Sequence, residues 1–242
     1  MINQRIIPLI LLDGHKAIIT RQFKFLSYIG DPRTLARLYS DQNADEIIVI
    51  QVNRNFDVVD NINFLRSLSN QTQCPISYGG NLQSFDQASL LIASGFEKLI
   101  FRSSFFNNPS LLTHVSSRFG SQAVILGLDI KIIAKVPTFG TYSDPSISLD
   151  FSTIYELDNS DFFGEFFFNM PDADGTFTLA QWPSAFLTSL RKPVIYSGGL
   201  SRSLPSHFKS TCSALDGLAV GAHFAFANRN KRSVMPSITS IQ

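Results

Sequence analysis

Short apolar runs recur along the chain with amphipathic stretches between them, and their spacing predicts the architecture. Arg5 to Leu12, Glu46 to Val52, Pro75 to Tyr78, Lys98 to Phe101, Ala123 to Asp129, Glu165 to Met170, Val194 to Tyr196 and Gly217 to Val220 are rich in β-branched residues or Phe and lack polar alternation. Such runs suit strands of a parallel sheet, buried on both faces under helices. Helix starts lie between them. In Asp31-Pro32 an acid serves as N-cap and proline takes the first helical position, ahead of Leu35, Leu38 and Tyr39 on one face. Asn108-Pro109 is expected to do the same before Leu111, Leu112 and Val115. Strand and helix alternating eight times predict an α/β fold, a (β/α)8 TIM barrel with a short last helix.

An internal repeat supports that reading. Gly79-Gly80 returns 119 positions later as Gly198-Gly199, and the same offset carries Leu99 onto Leu218, Phe105 onto Phe224 and Glu46 onto Glu165. Asp13 and Asp129 lie 116 apart, a spacing that a small loop difference would accommodate. Two half-barrels of four βα units joined end to end predict such a register around a pseudo-twofold axis.

Length agrees, since 242 residues suit one barrel of roughly 250 residues, and a single domain over residues 1–242 is expected. No apolar run approaches the roughly 18 to 20 residues that cross a bilayer, so no membrane span is expected. With 20 basic and 19 acidic residues the net charge is +1, no footprint for nucleic acid. Any anion must be held locally. Cys74 and Cys212 are too few for a disulfide framework or a cysteine metal site, no histidine pair has metal-ligand spacing, and no cofactor is implied. The start, Met1-Ile2-Asn3-Gln4-Arg5, lacks the pattern of a signal peptide, which makes the cytoplasm the expected compartment.

In this fold reactive groups belong at the C-terminal ends of strands. There, Gly79-Gly80-Asn81 follows strand three and Ser197-Gly198-Gly199 follows strand seven, turns whose backbone N–H groups can wrap a phosphate. Ser103 after strand four and Gly221-Ala222 after strand eight fall beside them, giving two anion pockets across the mouth. Asp129 ends strand five and Asp174 follows strand six, placed to act as general acid or base. The plainer alternatives are an Asx turn for Asp174 and a pair with Lys131 for Asp129. His15 falls in the first loop, His223 after strand eight, and His114 and His207 on helices, each more consistent with capping or solvation. At the opposite rim Arg5, Glu46, Lys98 and Glu165 open strands one, two, four and six, and could close into a ring of ion pairs.

These residues resemble the cyclase subunit of imidazole glycerol phosphate synthase, a barrel that receives ammonia from a glutaminase partner. The words that carry the likeness are Arg5-Ile6-Ile7, Gly30-Asp31-Pro32, Asp45-Glu46, Gly120-Ser121-Gln122-Ala123-Val124, Asp172-Ala173-Asp174-Gly175-Thr176 and Ser197-Gly198-Gly199. The resemblance implies that Arg5, Glu46, Lys98 and Glu165 gate an ammonia channel, with the glutaminase docked beneath. It implies a bisphosphorylated small-molecule substrate whose phosphates sit where Gly80, Asn81, Ser103, Gly175, Gly199 and Gly221 stand, with Asp129 as the strand-five acid.

The chain departs from that family at several points. The strand-one catalytic aspartate should fall near Ile10 or Leu11, and the loop-one lysine near Ile19. Gln51 replaces an aspartate, Arg102 a small polar phosphate contact, and Asn81 the third glycine of a run. A branch of the family associated with surface polysaccharide, in which barrel and glutaminase amidinate a nucleotide-linked sugar, is more similar. It shares the leucines after Arg5-Ile6-Ile7-Pro8 and a basic stretch like Lys231-Arg232-Ser233-Val234. Two alternatives stand beside this reading: a barrel without catalysis that binds a glutaminase or ligand as a scaffold, and a sugar isomerase of the related barrel type, which needs acids on both strand one and strand five.

Overall fold

The computed structural model describes residues 4–133, 136–176, 184–200, 214–222 and 224. In chain order the elements are β1 (Arg5–Asp13), β2 (Lys16–Arg21), β3 (Lys24–Gly30), α1 (Pro32–Asp41), β4 (Ile47–Gln51), α2 (Ile62–Ser69), β5 (Ile76–Gly79), α3 (Phe85–Ala93), β6 (Lys98–Phe101), α4 (Ser103–Asn107) and α5 (Pro109–Phe119). They continue with β7 (Val124–Ile133), β8 (Val136–Thr141), β9 (Asp144–Leu149), α6 (Phe151–Asp158), β10 (Glu165–Asn169), α7 (Ser184–Ser189), β11 (Val194–Ser197) and β12 (Gly217–Val220).

Eight of these strands are the apolar runs read from the sequence, and they pair in parallel in the order β1, β4, β5, β6, β7, β10, β11, β12. The ring closes where Arg5 to Pro8 of β1 pair with Gly217 to Val220 of β12. This is a (β/α)8 TIM barrel. Strand alternation sorts each run into two layers. Ile7, Ile48, Ile100, Ile125, Phe167, Ile195 and Ala219 point inward and fill the barrel, with Leu9 and Ile50 packed above them. Their neighbours point outward and meet the helices in the larger core, where Phe163, Phe166 and Phe168 pack with Phe139 and Phe186. The phenylalanine-rich run around β10 therefore supplies both layers at once.

At α1, Asp31 accepts from the Arg33 and Thr34 amides and Pro32 holds the first helical position, as the sequence predicts. The parallel expectation at α5 fails: Pro109 starts the helix, but Asn108 makes no side-chain cap, its Oδ1 accepting instead from the Ser110 hydroxyl at 2.7 Å. The eighth helix falls mostly outside the described residues. No helix among those described is long and apolar enough to cross a membrane.

Two additions have no counterpart among the predicted elements. β1 and β7 are 9 and 10 residues long, against 4 or 5 for the other barrel strands, and each overshoots the barrel into an antiparallel hairpin. β1 turns into β2 and β3, and β7 into β8 and β9. Strands one and five sit half a barrel apart, so the hairpins are pseudo-twofold mates.

The strand pairing also refines the repeat. Lys98 and Gly217 open equivalent strands, as do Glu46 and Glu165 within inward-facing positions, and both pairs keep the offset of 119. The glycine pairs do not. Gly80 has φ +111° and a Cβ there would strike the Gln51 carbonyl; Gly198 has φ +122° and would strike the Met170 carbonyl. Gly80 thus corresponds to Gly198, and left-handed Asn81 to left-handed Gly199, at an offset of 118. Strand one follows the same shorter offset, because Leu11 pairs with Ile50 as Asp129 pairs with Asn169. Leu11, rather than Asp13, is the mate of Asp129.

Candidate functional site

The four charges at the strand starts converge. Arg5 on β1 gives Nη1 to Glu46 Oε2 at 3.0 Å and Nη2 to Glu165 Oε1 at 2.5 Å. Lys98 Nζ completes the circuit, 3.2 Å from Glu46 Oε2 and 3.0 Å from Glu165 Oε2. The Ser77 hydroxyl donates to the remaining Glu46 oxygen at 2.6 Å. Both glutamates are buried, while the two cations keep part of their surface in solvent at the barrel floor. Burial opposes the Arg5 charge, but Glu165, Glu46 and Asp216 outweigh it and hold its pKa above the ordinary value. Directly above the ring lies the buried isoleucine layer with Phe167.

At the mouth, Asp129 is 2% exposed and both its oxygens are occupied. Oδ1 accepts from Arg102 Nη1 at 3.0 Å and Asn169 Nδ2 at 2.8 Å; Oδ2 accepts from the Tyr142 backbone N–H at 2.6 Å. The partner is Arg102, not Lys131, whose ammonium lies 5.9 Å from the Tyr142 ring centroid. Asp174 reaches the other hairpin. Its Oδ2 accepts from Thr20 Oγ1 at 2.6 Å and the Phe23 amide at 3.1 Å, and its carbonyl accepts from the Gln22 amide. Burial pushes its carboxyl above the usual range against the lowering pull of Thr20 and Phe23. Its hydrogen bonds anchor the β2–β3 turn, in which Gln22 and Phe23 both hold positive φ.

Most of the expected anion-binding residues of the second half come together. Gly175, Gly198, Gly199, Gly221 and Ala222 line one open-sided pocket with Ser197 and Asp174. The first half differs. Asn81 spends its side-chain amide on the carbonyls of Asn53 and Phe56, 2.7 and 3.1 Å away, pinning the loop after β4. Ser103 is exposed at the start of α4, and Gly80 packs against Gln51.

The departures seen in the sequence acquire reasons. Leu11 occupies the inward position of strand one and contributes to the pocket wall, as do Ile18 and Ile19, so the missing acid and lysine are replaced by apolar surface. Asp13 and His15 are both exposed and engaged outside the pocket: Asp13 accepts from Asn53, and His15 stacks on Phe64 at 4.1 Å and bonds Asn61. Gln51 accepts from the Gly14 and Asn53 amides and donates to the Gly14 carbonyl, stapling the first hairpin to strand two.

Sequence reasoning missed the clasp above the mouth. Phe23 and Tyr142, at the tips of the two hairpins, meet edge to face at 4.9 Å, with the Arg102 guanidinium 5.9 Å from the Phe23 ring. The only signals were Asp13-Gly14, a hairpin-turn pair, and Tyr142-Ser143 between short β-prone words. Cys212, His207, His223 and the Lys231 to Val234 stretch lie outside the described residues.

The family model described as "Histidine biosynthesis protein" matches residues 5–228. An imidazole glycerol phosphate synthase subunit HisF of Flavobacterium psychrophilum is 31% identical over 82% of this chain and 81% of its own length. A relative in Prochlorococcus marinus, provisionally described as subunit hisF2 of the same synthase, is 29% identical over 95% of this chain and 93% of its own. In Leptospira borgpetersenii a HisF described with the same reserve is 33% identical, and there the chain spans about half the relative's length, 52% of it.

Proposed function

Because this chain belongs to the histidine biosynthesis protein family, we propose that it is the synthase subunit of a glutamine-dependent amidotransferase. In this reading a glutaminase docks against the floor, and ammonia passes the charged ring to a phosphorylated substrate at the mouth. The observation that carries it is the closed ring of Arg5, Glu46, Lys98 and Glu165 beneath a buried apolar axial layer. An apolar interior makes the passage of a full charge costly, so it favours neutral ammonia over ammonium. The layer is closely packed, and transit requires Phe167 and its isoleucine neighbours to move aside.

At the mouth, backbone N–H groups of the Gly198-Gly199 turn would hold one phosphate. Asp129 would manage protons as the ammonia nitrogen adds to an electrophilic carbon. Asp174 holds the hairpin that covers the pocket and assists by position. The loss of the strand-one acid at Leu11 and the apolar Ile18-Ile19 wall favour a substrate other than that of histidine synthesis, with amidination of a nucleotide-linked sugar for surface polysaccharide as the preferred assignment. The same two losses, and the covered state of Asp129, are what favour the scaffold reading. Leu11 counts against the isomerase, which needs a second acid there.

The test pairs the chain with a candidate glutaminase subunit and measures glutamine hydrolysis and ammonia-dependent product together. Glu165→Ala or Lys98→Ala should let hydrolysis run without product, whereas Asp129→Asn should abolish synthesis and leave the glutaminase bound. Failure to bind a glutaminase, with no turnover on free ammonia, sinks the proposal. Binding without turnover in the unaltered chain supports the scaffold.

A further inference from the structure

The pseudo-twofold register sets Arg102 opposite Gly221, since Lys98 and Gly217 open the equivalent strands. Gly221 leaves its side of the mouth open, and the pocket extends over it. Arg102 fills the other side and spends its guanidinium on Asp129. The three donors on Asp129 are unequal. The Tyr142 amide is backbone, and Asn169 is a buried residue of β10, so the framework fixes both. Arg102 alone is a long side chain with 36% of its surface exposed, rooted between Phe101 and the Ser103 turn.

We propose that Arg102 is a displaceable cover on Asp129: an oxyanion of the substrate, arriving beside Gly80 and Ser103, draws the guanidinium away and frees the position it held on Asp129 Oδ1, where Asn169 stays bound. Arginine pairs strongly with tetrahedral or planar oxyanions through its fork of N–H donors. The site then becomes competent only when an anion is seated, and the two ends of a substrate are read differently, by backbone amides at Gly198-Gly199 and by a mobile cation at Arg102. This inference rests on the proton-handling role given to Asp129 above, and makes Arg102 a positioning and specificity residue.

Nuclear magnetic resonance of the full chain tests it without turnover. The Asn169 side-chain amide and the Tyr142 backbone amide report on Asp129, and the Gly199 amide reports on the opposite pocket. Inorganic phosphate should shift the Asn169 and Tyr142 signals saturably. In Arg102→Ala those signals should start displaced and ignore phosphate, while Gly199 still responds. Arg102→Lys should respond with roughly tenfold weaker affinity, about the worth of one charge-assisted bond. Acetate in a parallel titration distinguishes a carboxylate-reading site from a phosphate-reading one. Wild-type Asn169 signals that answer neither anion, or an Arg102→Ala chain that answers as wild type does, overturn the inference. Either result leaves ammonia-dependent turnover, and hence the proposed function, standing on its own test.

Discussion

A carboxylate at position 51 could accept the Gly14 and Asn53 amides but could not donate to the Gly14 carbonyl; the amide of Gln51 does both. Single positions at the mouth are thus adapted to hold the hairpins. Asp174 is the other case, and its environment has a pH signature. Burial raises its carboxyl pKa, so the folded state binds that proton more tightly than the unfolded chain. The sign follows from linkage: its contribution is fully present below the ordinary carboxylate range and is lost as pH rises through the raised folded value. Asp174→Asn keeps an oxygen for Thr20 and Phe23 while removing the titration. Melting temperatures from pH 4 upward should therefore show wild type losing ground to Asp174→Asn as pH rises; parallel curves would remove the ionisation from the account. Leu11 shows what sequence alone could and could not fix: Ile10 and Leu11 both stood near the strand end, and only the inward alternation of β1 selects the second.

Elements differ in how plainly they were written in the chain. The barrel strands were legible because their side chains are buried on both faces, and seven of the eight ended within a residue of their apolar runs. The hairpins were not, because their apolar residues do not follow burial. β3 carries Phe25, Leu26 and Tyr28 on exposed positions, Phe25 at 64%, so neither alternation nor a continuous apolar run marks it as a strand. β7 was cut short for a similar reason, since Ile132 and Ile133 emerge into solvent beyond Asp129. What ties the hairpins together is the Phe23–Tyr142 contact, and an edge-to-face aromatic pair contributes about 0.5–1.5 kcal/mol beyond its buried area. A double-mutant cycle with Phe23→Leu and Tyr142→Leu, followed by urea unfolding, should return a coupling energy in that range. A cycle that closes to zero would mean that the arms stand independently.

At the scale of the whole molecule, the floor ring joins the two halves, because Arg5, Glu46 and Lys98 come from the first and Glu165 from the second. Glu46→Gln should destabilise the barrel by about 3 kcal/mol, the lower end expected for breaking a buried pair when its cations keep some solvent. Urea unfolding of Glu46→Gln checks this, and an unchanged midpoint would show that the ring contributes nothing to holding the halves. The ring positions were legible because each charge opened an apolar run. The clasp and the Arg102 cover were not, because they depend on side chains from distant strands meeting across the mouth.

Walking round the floor, the signs alternate: guanidinium, carboxylate, ammonium, carboxylate. Such a square has neither net charge nor, to a first approximation, a dipole, and the potential of the remaining quadrupole fades with distance far faster than that of a lone ion. These four side chains by themselves therefore neither draw small ions from the surrounding water nor drive them off at long range. Discrimination there is a matter of contact, settled within one molecular diameter of the four side chains.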